Sequence, residues 1–410
     1  MTGTLPPGSA SDRVAPAHAA RAFEVLAAFL ALGLRSFGGP IAHLGYFRAE
    51  FVGRRRWLDA GTFAELIALC QFLPGPASSQ VGFSIGLLRA GYAGALAAWI
   101  GFTLPSALAM IALAAGVQAF TGPLAVGALH GLRLVAVAIV AQALWSMARA
   151  LTPDRNRLLI AAAALILLLE LHSALAQVGV LAAGALAGLW LCRATARLTA
   201  AGAADLTCVG RGTGRVALAA YALLLVGLPI VAAALHSQGL ALFDAFYRAG
   251  ALVFGGGHVV LPLLHETVVA SGWLNDSAFL AGYGAAQALP GPLFTFAAYL
   301  GAMVGVSPHG LPGALLALAG IFLPGMLILT GVLPFWASLR RHALAGAGIQ
   351  GINAVVVGLL AAALYNPIWT TAVMRAADVP LVAAALVMLI ARVPVVAVVA
   401  AGAIAGSVLG

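Results

Sequence analysis

Apolar residues run along this chain in long blocks, and polar positions fall mostly in the short gaps between them. Within a block the pattern is continuous rather than alternating, and rich in Ala, Leu, Val and Gly. A membrane β-barrel needs ~10-residue alternating segments, whereas a spanning helix needs ~20 consecutive apolar residues. The pattern therefore predicts an all-α polytopic membrane protein. Two of the blocks are interrupted by the same device: "LCQFLPGPASSQVGF" from Leu69 and "GAAQALPGPLFTF" from Gly284 each place two prolines around a glycine.

Composition agrees with the pattern. Of 410 residues, 63% are hydrophobic and 8% charged, and mean hydropathy is +1.05. About a quarter of an ordinary soluble chain is charged, so a soluble fold could not hide this much apolar surface. The first 20 residues are polar and rich in Pro, Ala and Ser, and lack the apolar core of a signal peptide. They are expected to form a disordered tail. Cys70, Cys192 and Cys208 show no paired spacing, so no metal or disulfide framework is expected. No cofactor and no nucleic acid is expected either. The formal charge is +9, and all 21 basic residues are Arg. This charge fits either a topological role in cytoplasmic loops or an anionic substrate.

The chain repeats itself. Residues 34–76 align with 251–292: Phe37-Gly38-Gly39 with Phe254-Gly255-Gly256, Glu50 with Glu266, Trp57 with Trp273, Gln71 with Gln287, and Pro74-Gly75-Pro76 with Pro290-Gly291-Pro292. Further on, "GFTLPSAL" from Gly101 matches "GIFLPGML" from Gly320, and the run from His130 matches that from Gln350. The loop after the first break holds Arg48, Arg54, Arg55 and Arg56, while its partner holds His265, Glu266 and Asp276. Farther along, the loop at 119–129 lacks Arg and its partner carries Arg340 and Arg341. An excess of Arg marks the cytoplasmic side, so the two copies are predicted to lie in opposite orientations. One apolar run, 216–236, has no counterpart and would supply the crossing that flips the second copy. The predicted organisation is a tail at 1–20, a first repeat at 21–191, a cytoplasmic linker at 192–215, a connecting transmembrane helix at 216–236, and a second, inverted repeat at 237–410. Inverted repeats built of short, broken and re-entrant helices are a transporter signature, with the site near the midplane.

Proline removes a backbone donor and clashes with the preceding turn. In hydrocarbon, a broken helix is tolerated only inside protein or beside a wet cavity. The segment 60–88 is thus predicted to be a hairpin of two short helices with its tip at Pro74, Gly75 and Pro76. Half-helix N-termini offer amides and a positive dipole end to an anion. Gly38, Gly39, Gly255, Gly256 and Gly257 would admit a ligand close to the backbone. Arg35 lies within an apolar run and is either an anion ligand or a side chain reaching out to the interface. Ser36, Ser78, Gln71, Gln287, His258, Pro290, Gly291 and Pro292 complete the candidate binding set. Glu50, Glu65 and Glu266 read either as proton carriers or as interfacial ion pairs. The "GFSIG" at 82–86 fits a nucleophile pattern around Ser84, but it lies in a helical run rather than a strand–turn–helix context.

The motifs "FGGP" at 37–40, "FLPGP" at 72–76, "FGGG" at 254–257, "ALPGP" at 288–292 and "QGINAVVVGLLAAALY" at 350–365 resemble those of the chromate ion transporter (CHR) family in its long, two-domain bacterial form. The resemblance covers about residues 21–410. It implies a multi-pass protein of the bacterial inner membrane that exports chromate, confers chromate resistance and draws on the membrane potential or proton gradient. Sulfate is the competing analogue. The alternative readings are uptake or exchange of sulfate or another oxyanion, and an intramembrane enzyme. The lipid bilayer is the expected surrounding, with the N-terminus and the linker in the cytoplasm. The oligomeric state, a homodimer included, is open.

Overall fold

The computed structural model describes residues 10–119, 122–171, 174–193, 208–254, 257–339 and 342–409. Gly255 and Gly256, most of the 192–215 linker, and Arg340 and Arg341 lie outside the described residues. The described chain is helical throughout. Helix α1 spans Ala10–Gly33, α2 Gly39–Phe47, α3 Ala60–Phe72, α4 Ala77–Ala119, α5 Pro123–Leu151, α6 Arg155–Glu170, α7 Ala174–Leu191 and α8 Arg211–Leu235. Then follow α9 Gln238–Ala251, α10 Val260–Leu264, α11 Asp276–Ala286, α12 Phe296–Met303, α13 Gly310–Val332, α14 Trp336–Leu339, α15 Ala343–Ala363, α16 Thr370–Ala372, α17 Asp378–Ile390 and α18 Val395–Leu409. Helix α1 starts at Ala10, within the segment expected to be disordered. The Ala-rich stretch before Phe23 has strong helix propensity, and this outweighs its lack of apolar periodicity.

Five helical stretches among the described residues are long and apolar enough to cross a membrane: 77–117, 124–151, 211–235, 310–339 and 344–372. The first is bent by non-helical backbone at Ala90 and Gly91. Its leading arm, 77–89, is therefore a short helix. The predicted hairpin forms. Helices α3 and 77–89 flank the Pro74-Gly75-Pro76 turn, and its base is closed by the Arg89 guanidinium lying 5.0 Å from the Trp57 ring centre. The second copy closes at the equivalent place: the amide of Gly305 donates to the carbonyl of Trp273 at 2.9 Å. Tyr299 ties its two arms by donating to the carbonyl of Ala278 at 3.0 Å.

Small residues bring the long helices together. A Cβ on Gly33 would meet the carbonyls of Gly101 and Phe102, and one on Gly101 would meet the carbonyl of Leu26. Helices α1 and α4 thus touch backbone to backbone. In the second copy Gly250 meets Ile321, and Gly320 meets Phe243, setting α9 on α13 in the same way. Close approach through glycine is how membrane helices gain packing without a hydrophobic driving force. The outer helices are exchanged between copies. Helix α5 packs on α18 through Gly127, Gly131, Gly402 and Gly406, while α15 packs on α7 through Gly184, Gly188 and Gly351. Helix α8 stands at the periphery, with Val216, Leu223, Val226 and Ile230 exposed.

Candidate functional site at the paired breaks

The broken segments meet at the centre of the molecule. Gly75 lies at φ +118° and Gly291 at φ +102°, in the region that favours glycine. The amide of Gly75 donates to the carbonyl of Val253 in the other copy at 2.7 Å. The amide of Gly291 donates to the carbonyl of Ser36 at 2.9 Å. Ser36 and Val253 stand at the same place in the repeat, so the exchange is reciprocal. Each Pro-Gly-Pro turn also rests on the Leu-Pro step of the other copy's long helix. A Cβ on Gly75 would meet Gly325, and one on Gly291 would meet Ser106. The two central amides are thus already used in joining the copies.

Side chains finish the junction differently on its two sides. Gln80 donates from Nε2 to the carbonyls of Pro74 and Gly325, both at 2.9 Å. It thereby satisfies two acceptors that the prolines leave open. His43 is buried edge-on to Phe102 and makes hydrogen bonds to the Ser36 carbonyl at 3.2 Å and Ser78 Oγ at 3.3 Å. On the other side His258 shares a 2.7 Å hydrogen bond with the Tyr283 hydroxyl, and Thr295 donates to the carbonyl of Pro292 at 2.8 Å.

Several buried polar atoms around this junction have no protein partner: Ser36 Oγ, Ser79 Oγ and Thr103 Oγ1, each able to donate, with Gln80 Oε1 as an acceptor, while the Gln287 amide lies against the Tyr283 hydroxyl. Leaving such a group unpaired in a dry interior costs about 1–3 kcal/mol, so each calls for an explanation. Neutral hydroxyl and amide donors in low dielectric form strong, charge-assisted hydrogen bonds to an anion. Such donors are the chemical type that binds an oxyanion.

Other predicted residues stand around the junction or away from it. Arg35 does not enter the junction. Its side chain is 55% exposed and pairs with Glu50 at 3.3 Å. Glu50 is buried and is held also by Arg54 Nε at 2.9 Å and Arg55 Nε at 2.6 Å. The Arg54 hydrogen bond, with help from Arg55, draws its carboxyl down to about 2. The arginines thus hold the Glu50 carboxylate in its charged form. Gln71 is exposed on α3. Glu65 is buried and accepts from the Trp336 indole of the second copy at 2.7 Å. Glu266 lines a cavity of ≈130 Å³ with His265 and Asn366, and His265 pairs with Asp276 at 2.6 Å. Gly38 and Gly39 take positive φ at the first break, and Gly257 is buried beside Pro40. Pro76 and Ser78 are buried at the start of α4, and Pro290 and Pro292 frame Gly291. Ser84 is buried and donates to the carbonyl of Gln80 at 2.9 Å, as an ordinary helix serine does.

Sequence reasoning overlooked Gln80 and Thr103 as junction residues. Asking which side chain satisfies the carbonyls freed by Pro74 and Pro76 would have pointed to Gln80. It also overlooked the Asp244–Arg248 pair, 2.7 Å apart within α9, whose signal is an acid and a base four residues apart in an apolar helix.

The sequence pattern of the chromate transporter family matches residues 23–189 and again 240–407. The chain belongs to the chromate transporter family. It is 31% identical over 373 residues to a chromate transport protein of Pseudomonas aeruginosa, covering 85% of this chain and 82% of that one. A chromate transport protein of Cupriavidus metallidurans is 27% identical over 372 residues, covering 89% and 87% of the two chains. A probable chromate transport protein of Synechococcus elongatus is 28% identical over 368 residues, covering 86% of each. No solved structure matches the chain. The two matched stretches coincide with the two sets of broken helices that meet at Gly75 and Gly291.

Proposed function

We propose that this chromate transporter moves the chromate dianion outward across the bacterial inner membrane, and that the junction of the two breaks is its substrate site. The observation that carries the reading is the reciprocal backbone exchange, surrounded by buried donors that have no protein partner. A two-fold swap of equivalent atoms is what two inverted copies, 21–191 and 237–410, would produce on either side of a midplane site. In this reading α8 is the crossing that inverts the second copy, and the N-terminus and the linker at 192–215 face the cytoplasm. Rocking of one copy against the other about the Gly75 and Gly291 contacts exposes the site to alternate sides. The drive is the membrane potential or proton gradient, and the physiological result is chromate resistance. Hydroxyl and amide donors suit any tetrahedral dianion, so sulfate competes.

The test is uptake of labelled chromate into everted membrane vesicles, energised and de-energised, with and without sulfate. Energy-dependent accumulation blocked by sulfate, and lost in Ser79→Ala, Thr103→Val and Gln287→Leu without loss of inserted protein, is the expected result. Accumulation untouched by all three substitutions would remove the junction as the site. Failure of the wild type to accumulate chromate, with sulfate or another oxyanion carried instead, would favour the uptake or exchange reading.

A further inference from the structure

The guanidinium groups of Arg35, Arg54 and Arg55 converge on one carboxylate, that of Glu50. Glu50 itself is 5% exposed, whereas Arg35 is 55% and Arg54 65% exposed. The charges thus form a layered arrangement, with an anion inside and cations facing outward. Arg55 also reaches Glu24 at 3.4 Å, and Arg89 reaches Glu24 at 3.0 Å. Both of these guanidiniums lie over the Trp57 ring, at 5.2 and 5.0 Å. Four arginines stand against two carboxylates, which leaves two positive charges uncompensated. That excess equals the charge of one tetrahedral dianion. Guanidinium forks bind carboxylates and larger oxyanions with the same paired geometry.

The cluster adjoins the junction along the chain. Arg35 directly precedes Ser36, whose carbonyl takes the Gly291 amide. It has no equivalent in the second copy. There Glu266 lines a cavity beside the His265–Asp276 pair, and no Arg occurs between His258 and Asp276.

We propose that the Glu50 cluster is a loading site for the transported dianion, in which the Glu50 carboxylate is a tethered competitor holding the place of the incoming oxyanion. Arg35 is the arm that exchanges partners. It leaves Glu50, takes the dianion, and delivers it to the donors beside Ser36. A site filled by its own carboxylate keeps its arginines ordered, yet binds the dianion weakly enough to release it inward. Net positive charge at one mouth also steers anions there and speeds their capture. This inference rests on the reading of the chain as an oxyanion carrier with its site at the junction.

The experiment is equilibrium binding of radiolabelled sulfate to the purified full-length protein in detergent at low ionic strength, with chloride as the only other anion. Glu50→Gln removes the competitor and is expected to bind sulfate about tenfold more tightly, in the range seen for single close charge pairs. Arg35→Gln is expected to bind about tenfold more weakly. Its half-exposed side chain makes one 3.3 Å contact, so its fold is retained even where Glu50→Gln unfolds. Wild-type affinity in Arg35→Gln, or unchanged or weaker binding in a folded Glu50→Gln, overturns the proposal. Ser79→Ala separates it from the junction reading: sulfate binding at the cluster is retained there while flux is lost. Loss of flux in no junction variant, with the Glu50→Gln and Arg35→Gln shifts both present, leaves the cluster as an anion site and removes the junction.

Discussion

The amide of Gly75 donates to the carbonyl of Val253 at 2.7 Å, and the repeat returns the bond from Gly291 to Ser36. The two contacts lie where the chain is most broken, and both glycines occupy positive φ. An L-residue there costs about 1–2 kcal/mol in backbone strain alone. A Cβ on Gly75 would also lie 3.0 Å from the Gly325 Cα, which is backbone, and one on Gly291 would lie 2.7 Å from the Ser106 hydroxyl, which can turn. Gly75→Ala is therefore expected to lower the melting temperature more than Gly291→Ala, and both are expected to lose chromate flux. Measured by thermal unfolding in detergent and by vesicle uptake, equal and near-wild-type behaviour would show that the junction tolerates separation.

Gln71 was a candidate by position and Gln80 was not, and the structure reverses the two. Gln80 supplies both amide hydrogens to carbonyls of the two copies, while Gln71 is exposed. Gln80→Leu strands two buried acceptors and should cost about 2–3 kcal/mol. Gln71→Leu should stay within about 0.5 kcal/mol, as exposed substitutions do. Denaturation midpoints in the same detergent settle the order. A Gln71→Leu loss equal to that of Gln80→Leu would place Gln71 in the joint instead.

The breaks were legible in the sequence because proline and glycine have local, obligatory consequences. Pro74-Gly75-Pro76 could only end one helix and begin another, and its recurrence at Pro290-Gly291-Pro292 could only mean a repeat. The hairpin between Trp57 and Arg89 followed from helix length and the placement of arginines. What the breaks bind to was not legible. The bond from Gly75 to Val253 joins residues far apart in the chain, and hydropathy carries no distance information. Arg35 was undecided for a related reason. Its depth in the apolar run left it open between an anion ligand and a side chain reaching outward, and only the fold shows that it reaches sideways to Glu50. Thr103 was hidden by its ordinary helical setting, since a single hydroxyl in a long apolar helix resembles any packing residue.

Glu50 sets a sign for pH dependence. Its carboxyl is drawn down from an ordinary 4.5 to about 2. A depressed carboxyl contributes stability above its unfolded value and loses it as pH falls through its folded value. The difference in stability between wild type and Glu50→Gln should therefore be constant from pH 8 to about 5 and shrink between about 4.5 and 2. Thermal unfolding across this range checks it. A difference that changes between pH 6 and 8 would mean that Glu50 titrates where transport runs, and would make it a proton carrier.

At the far end of α5 from Arg149, His130 bonds Asp378 at 2.9 Å, tying a helix of the first copy to the start of α17. The second oxygen of Asp378 accepts from the amides of Met374 and Arg375, both at 2.9 Å. One carboxylate thus orders a turn and holds a helix. Removing it leaves three donors without an acceptor, whereas removing His130 leaves Asp378 with both of its amides. Asp378→Ala should cost about 3 kcal/mol, in the range for breaking a buried pair, and His130→Ala clearly less. The double variant should resemble Asp378→Ala alone, because the partner is already lost, with a coupling of about 1–3 kcal/mol. A double-mutant cycle by thermal unfolding measures this directly. Additive losses would mean that the two side chains stabilise the copies independently, and that the tie between α5 and α17 rests on the Gly127 and Gly131 packing against α18 instead.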